Sequence, residues 1–393
     1  MSRIVSFEIK GLAGSRKIFR HEMDPSVNVF WGVNGTGKTS LLKILHSALL
    51  NDVTPLYRVP FTSAIVKIKD RTSTFERYIN KSSLEENRIE QLALSDAIEN
   101  TYTRYAEINQ RSYMEQSGRG KTSWESNTKN PFSVRPNRHG YLPISRISES
   151  RARKGRYRPA GELIDEASFD RLFAEQIQRL WQEYNQESLL NIRNTQQKGI
   201  AQILGSVLSA KSSGRKTQPV SDSEEAFLLM KEFISTQRFG RMMNISREEF
   251  IENYDSNPVV QEVVAEVAEV QQEVDKAQEP QKRIENLLSD LYGAGKKVEL
   301  QGREVVVRQG NESVPLESLS SGQKQILQIL IESLSAGSNP IIIDEPELSL
   351  HVDWQNKLID CMQTVNPHAQ VIVATHSPEI MAEISDEVIT ELG

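Results

Sequence analysis

Apolar residues follow two rhythms along this chain. Short runs bounded by turn residues occupy both ends, and a three-four spacing fills the middle. At the N-terminal end Ile4–Lys10, Lys17–Met23 and Val27–Trp31 read as strands. The last is a continuous apolar run of the kind a buried strand shows. Ser40–Leu50 follows as a helix. Ala64–Lys69 and Thr74–Ile79 alternate apolar with polar and predict a hairpin turning at Asp70–Ser73. Residues 83–113 carry Leu84, Ile89, Leu92, Leu94 and Ile98 at mixed helical spacing, and Gly140–Arg146 predicts a short buried strand ending at a polar turn.

Between 160 and 291 the period is helical. Phe169, Phe173, Ile177, Leu180 and Tyr184 share one face, as do Ile200, Ile203, Leu204, Val207 and Leu208; the aromatics among them read as core. Lys211–Ser223 reads as a loop at a helical tip. Ser246 with Glu249 predicts a capping box, and Asn257-Pro258 predicts an N-cap followed by proline at the first helical position. Val260, Val263, Val267, Val270, Val274, Ala277, Gln281, Ile284, Leu288 and Leu291 then alternate strictly by three and four. That pattern fits a coiled-coil seam or a long helix lying on the protein's own core. Pro280 should kink or divide it. After 298 the strand pattern returns (Val298–Leu300, Val305–Arg308), followed by helix Gln323–Ala336, strand Ile341–Ile343, helix Val352–Val365 and strand Gln370–Ala374.

Composition narrows the class. No run of 18 or more apolar residues occurs, and no charged-then-apolar leader opens the chain, so the expectation is a cytoplasmic protein without a membrane span. The single cysteine, Cys361, excludes an internal disulfide framework and a Cys-rich zinc site. Net charge is −6, yet 111–158 holds twelve Lys/Arg against Glu115, Glu125 and Glu149, with Tyr113, Trp124, Phe132, Tyr141 and Tyr157 interspersed. Such a stretch is either a solvated loop or a contact surface for nucleic acid or an acidic partner.

The densest chemistry follows the third strand. Gly32, Gly35, Gly37, Lys38 and Thr39 fill every fixed position of the G-x-x-x-x-G-K-[ST] phosphate loop. Glycines let successive N–H groups turn inward, and the helix N-terminus adds partial positive charge. Asn34, Gly35, Thr36, Gly37, Lys38, Thr39 and Ser40 are therefore the expected nucleotide-binding residues. Lys38 reaches the β/γ-phosphates and Thr39 helps hold Mg²⁺. Near the other end the strand Ile341–Ile343 runs into Asp344-Glu345-Pro346-Glu347. Asp344 is the expected second Mg²⁺ ligand and Glu345 the base that activates water. His376 follows another strand and can meet a γ-phosphate or the water. Lys38, Glu345 and His376 are the catalytic candidates.

Taken in order, the phosphate loop, Leu-Ser-Ser-Gly-Gln (319–323), Asp-Glu-Pro-Glu (344–347), Ser-Leu-His (349–351) and Thr-His-Ser (375–377) resemble the ATP-binding-cassette ATPase superfamily. Within it the chain is similar to the chromosome-maintenance, RecF and OLD-like branch. Its size, helical insert and C-terminal end look most like the ATPase subunit of the PARIS anti-phage system, with Septu-type ATPases next. The resemblance implies an α/β head, a phosphate-loop parallel sheet plus an antiparallel β subdomain, carrying a mainly helical insertion. The expected divisions are 1–110, 111–158, 159–297 and 298–393. It implies ATP and Mg²⁺ as cofactors and two heads sandwiching nucleotide. Ser320, Ser321, Gly322 and Gln323 would then face the partner's γ-phosphate, and Ser349–His351 would cross between heads.

The chain departs from the family where many repair ATPases carry aromatic-Arg-Ser. Lys10 or Arg16 could substitute, and Gln110 or Gln116 could supply the glutamine of the linking loop. No nuclease cluster follows 377, so a nuclease is expected on a separate protein. The first reading is an oligomeric anti-phage ATPase that controls such an effector, with the basic stretch meeting an acidic phage protein or DNA. The alternative is a RecF-like repair ATPase acting directly on DNA. A transporter subunit fits the helical insert and the 344–351 run poorly.

Overall fold

The computed structural model describes residues 2–70, 73–84, 123–127, 136–143, 166–209, 222–236, 246–293 and 295–393. Apart from Arg138, the basic residues of the 111–158 stretch lie outside these, as do Gln110, Gln116 and most of 83–113. The described residues form an α/β protein with one parallel and two antiparallel sheets. They divide into two compact units.

The first unit comprises residues 1–180, 287–299 and 305–393. Strands β1 (Arg3–Lys10), β2 (Ile18–Glu22) and β3 (Val27–Trp31) precede helix α1 (Lys38–Leu50). The hairpin β4 (Ser63–Lys69) and β5 (Thr74–Asn80) and the short β6 (Glu125–Ser126) complete an antiparallel sheet ordered β2-β1-β4-β5-β6. The return strand β7 (Gly140–Leu142) is shorter than the expected run and joins the parallel sheet.

Later in the chain come α6 (Ser321–Ala336), β11 (Ile341–Asp344), α7 (Val352–Val365), β12 (Val371–Thr375), the short α8 (Pro378–Met381) and β13 (Ile389–Glu391). The parallel sheet runs β13-β3-β12-β11-β7. Helix α1 lies between the two sheets. Leu41, Leu42, Leu45 and Leu49 join one buried cluster with Phe7 and Ile9, Val66 and Phe75, and Phe30, Ile342 and Ile372. The buried Gln370 side chain fastens the layers: its oxygen accepts from Ile4 N–H at 2.9 Å, and its amide donates to the carbonyls of Ile4 and Asp24 at 2.9 and 2.8 Å.

The second unit comprises residues 181–286 and 300–304. It is built from α2 (Glu166–Ser209), α3 (Ser223–Thr236), α4 (Arg247–Ser256) and α5 (Pro258–Tyr292), of which the start of α2 up to Leu180 and the end of α5 from Leu287 count with the first unit. The valine seam settles inward. Val267 and Val270 are buried with Phe233 against Ile200, Ile203, Leu229 and Met230, and Val264 joins Ala226, Phe250 and Tyr254. Of the two readings of the valine repeat, the helix lying on the chain's own core holds and the seam to a subunit or partner does not: its central positions are covered by α2, α3 and α4 of the same chain.

Two further expectations change. Pro280 neither divides nor ends α5, which runs unbroken to Tyr292; just past it Gln281 and Glu285 bind the Leu300 backbone at 2.7 and 2.6 Å. Ser246 does precede α4 but makes no side-chain cap; the first turn is held by the Arg247–Glu224 ion pair to α3 instead. Asn257, in contrast, caps α5 as expected, with Val259 N–H donating to its side chain at 3.0 Å. Strands β8 (Lys296–Gln301), β9 (Glu304–Gln309) and β10 (Glu312–Val314) make a separate small sheet.

Candidate functional site

Parallel pairing puts three strand ends side by side. Asp344 lies across from Ala374, and Thr375 lies across from Trp31. The crevice outside the carboxyl ends of parallel strands is where open α/β sheets take ligands. The phosphate loop leaves β3, Asp-Glu-Pro-Glu leaves β11 and Thr-His-Ser leaves β12, whereas Leu-Ser-Ser-Gly-Gln opens the helix α6.

From β3 the chain turns through Gly32–Gly37 into α1. Gly35 and Gly37 adopt φ of 92° and 101°, which L side chains disfavour. A Cβ at Gly37 would also stand 2.9 Å from that of Ala13, so the turn needs glycine twice over. Lys38 is buried, and its Nζ donates to the carbonyls of Gly32 at 2.6 Å and Val33 at 3.1 Å. The Thr36 hydroxyl donates to Val33 O at 3.0 Å and braces the same loop. Asn34 and Gly35 are exposed at its tip. Thr39 and Ser40 stand in the first turn of α1, whose unpaired N–H groups suit an anion.

From β11 comes Asp344. It is buried, and neither carboxylate oxygen makes a hydrogen bond of normal geometry among the described residues. Burial pushes its carboxyl up to about 6; the nearby Thr39 hydroxyl lowers it, Glu345 raises it, and Lys43 and Lys38 lower it further. An orphaned buried carboxylate beside a hydroxyl fits a hard divalent cation. Among the described residues no cluster of three or more His, Cys, Asp or Glu forms a cage. The donor set therefore suits Mg²⁺, which keeps waters and phosphate oxygens among its ligands.

Glu345 follows in a left-handed conformation at φ 48°, its N–H donating to Ala374 O at 2.8 Å. Its carboxylate is partly buried and 3.9 Å from His376 Nδ1. Glu347 lies nearer. Its Oε1 accepts from the Thr375 hydroxyl at 2.8 Å and His376 N–H at 2.9 Å, and it lies 2.9 Å from His376 Nδ1. Sequence reasoning missed Glu347, although the Asp-Glu-Pro-Glu run displayed it.

The helix α6 begins at Ser321, two residues before the expected Gln323. Ser320 and Gln323 form a reciprocal capping box, so both side chains are engaged within the chain. Tyr292 Oη–H donates to Gln323 O at 2.7 Å, and Lys324 pairs with Asp170 at 2.6 Å. Ser320 and Ser321 are exposed, whereas Gly322 is buried. A Cβ on Gly322 would stand 2.7 Å from Ser349 O, so the loop after β11 rests directly on this helix start. Ser349 itself holds φ 67°, and His351 caps α7 through Asp353 N–H at 3.4 Å.

Two aromatic residues of the basic stretch belong to the core. Trp124 is buried and its Nε1–H donates to Ser47 Oγ at 2.9 Å. Tyr141 stacks on His46 with centroids 3.9 Å apart, and His46 Nδ1 lies 2.7 Å from His139 Nε2. Burial, and then His139, hold His46 down at about 3, a neutral imidazole. Lys10 pairs with Glu8 at 3.6 Å, and Arg16 is exposed two residues past the turn Leu12–Gly14 that packs on Gly37. The structure thus brings together Lys38, Thr39, Asp344, Glu345 and His376, with Glu347 behind them, and sets Ser320–Gln323 beside Ser349.

Residues 67–382 match the family described as "AAA domain, putative AbiEii toxin, Type IV TA system". The chain is 27% identical over 97 residues to "Retron Vc95 probable ATPase" of Vibrio cholerae serotype O1 biovar El Tor, covering 21% of this chain and 19% of that protein. It is 30% identical over 105 residues to "Septu protein PtuA" of Bacillus thuringiensis, covering 23% of this chain and 26% of that protein. The matches thus span about a fifth to a quarter of these curated relatives. Among solved structures, the Smc head domain with an extended coiled coil bound to the C-terminal domain of ScpA, from Pyrococcus furiosus, aligns with a TM-score of 0.43 and 12% identity over 97% of this chain and 92% of that one. A likeness at that score carries no argument about function.

Proposed function

Since the chain belongs to this AAA-domain family, we propose that it binds ATP with Mg²⁺ at the ends of β3, β11 and β12 and hydrolyses it. The observation carrying this reading is Asp344, a buried carboxylate without a normal hydrogen bond, set beside Thr39 at the mouth of the phosphate loop. Thr39 and Asp344 would hold the cation, which supplies charge neutralisation at the phosphates. Lys38 exchanges the loop carbonyls of Gly32 and Val33 for phosphate oxygens. Glu345 orients and deprotonates water, and His376 contacts the same region. Ser321 and the N-terminus of α6 offer an anion site to a second copy, which would complete each nucleotide pocket.

At the level of the whole protein we propose an anti-phage defence ATPase that assembles with itself and controls a separate nuclease effector. Relatives named as a retron ATPase and a Septu protein support that class. The resemblance to the PARIS ATPase subunit is a finer form of the same reading. The first test is Lys38→Ala. Nucleotide affinity should fall below detection in equilibrium binding, and phage plating on cells carrying the system should return to the level without it. Wild-type ATP affinity in this variant would overturn the site.

A further inference from the structure

We propose that Glu347 is a positioning residue that fixes the ring of His376, so that Nε2 alone is offered to the nucleotide pocket. The inference rests on the site proposed above and adds a residue to it.

A carboxylate has no proton to give, so Glu347 Oε1, 2.9 Å from His376 Nδ1, favours a proton on that nitrogen over a lone pair facing the anion. The same oxygen accepts His376 N–H and the Thr375 hydroxyl, so it holds the backbone of the residue whose ring it faces. Glu347 is buried, whereas the His376 side chain is 45% exposed. One ring nitrogen is therefore held inward and the other remains to face out. Glu345 stands 1 Å further from Nδ1, at 3.9 Å. It is free for a different task.

The contacts extend further. Thr375 Oγ1 accepts from Ser377 N–H at 3.0 Å, and the single hydroxyl proton of Ser377 stands between Gln355 Oε1 at 2.8 Å and Glu379 Oε2 at 2.7 Å. The Gln355 amide donates to Leu350 O at 2.9 Å, on the loop that carries Glu347. The segment that rests on Gly322 and the segment that carries His376 are thus one hydrogen-bonded block. Buried carboxylate partners of this kind set the tautomer of an imidazole. With the proton on Nδ1, His376 Nε2 is left as an acceptor for a donor in the pocket.

The test uses the full chain labelled with ¹⁵N-histidine, with the His376 signal among the six histidines assigned by its loss in His376→Ala. Wild type, Glu347→Gln and Glu345→Gln should all show Nδ1–H at His376, since a glutamine oxygen at 347 still faces Nδ1 as an acceptor. Glu347→Ala should lose that preference. Its kcat should fall ~10- to 100-fold, Glu347→Gln should recover most of the loss, and Glu347→Ala combined with His376→Ala should be no slower than His376→Ala alone. If Glu347→Ala does not fold, Glu347→Asp, which withdraws the acceptor by one methylene, takes its place. An unchanged His376 tautomer without the carboxylate, or losses that multiply in the double variant, overturns the proposal. A tautomer that responds as described in a protein that neither binds nor hydrolyses ATP supports the positioning role and overturns the ATPase reading.

Discussion

Replacing Asp344 with Asn removes a charge that the fold holds at a cost. The carboxyl rises from 3.8 to about 6, and at 1.36 kcal/mol per pH unit that is about 3 kcal/mol of destabilisation once the group is fully ionised. The sign follows from linkage. Between those two values the folded protein binds more protons here than the unfolded chain does. Stability is therefore intact at the acid end and is lost as pH rises through about 6. Asn carries no such dependence, although its unpaired amide has a fixed cost of about 1–3 kcal/mol.

The fixed cost cancels when the two proteins are compared across pH. In urea unfolding with EDTA present, the stability of Asp344→Asn relative to wild type should rise by about 2.5 kcal/mol between pH ~4 and ~7.5. Saturating Mg²⁺ with nucleotide should stabilise wild type by mass action and the variant less. A difference that stays flat with pH would refute the reasoning, since the carboxylate would then already be compensated in the folded state.

Gly322→Ala should leave ATP affinity in the cis pocket near normal while kcat falls, by ~10²-fold for a displacement near 1 Å, because the added Cβ meets Ser349 O at 2.7 Å and backbone cannot yield cheaply. Stopped-flow binding set against steady-state turnover separates the two, and normal turnover would remove the loop after β11 from the mechanism. Val267→Asp should lower the thermal midpoint of the protein, since the residue is 1% exposed and an unpaired carboxylate would be buried among Phe233, Leu229 and Met230. An altered oligomer with an unchanged midpoint would instead put that face outside the chain's own core.

Much of the site was legible because its chemistry is local. The phosphate loop declares itself within eight residues, and Asp344 sits where an apolar strand stops, so spacing alone placed Lys38, Thr39 and Asp344. Glu347 was not legible in the same way. Its partners belong to β12 and the turn after it, 28 and 29 residues away, and only the parallel pairing of β11 with β12 brings them together. The His46–His139 contact, 93 residues apart, is likewise made only by the fold, between α1 and the residue before β7. The valine repeat gave the buried face of α5 correctly but not what covers it, because a three-four pattern records burial and is silent on whose side chains do the burying. The S-x-x-E/Q pattern likewise occurs at Ser246 and Ser320, yet only Ser320 closes a capping box.

The central claim is that ATP is held at the strand ends and that Glu345 acts on the water rather than on binding. Glu345→Gln tests it most directly, by equilibrium ATP binding and single-turnover phosphate release measured on the same preparation. The account predicts ATP affinity within a few-fold of wild type and release slowed by ~10²–10⁴-fold, the range for loss of a general base. Phosphate release at the wild-type rate, or ATP binding lost together with hydrolysis, would contradict it.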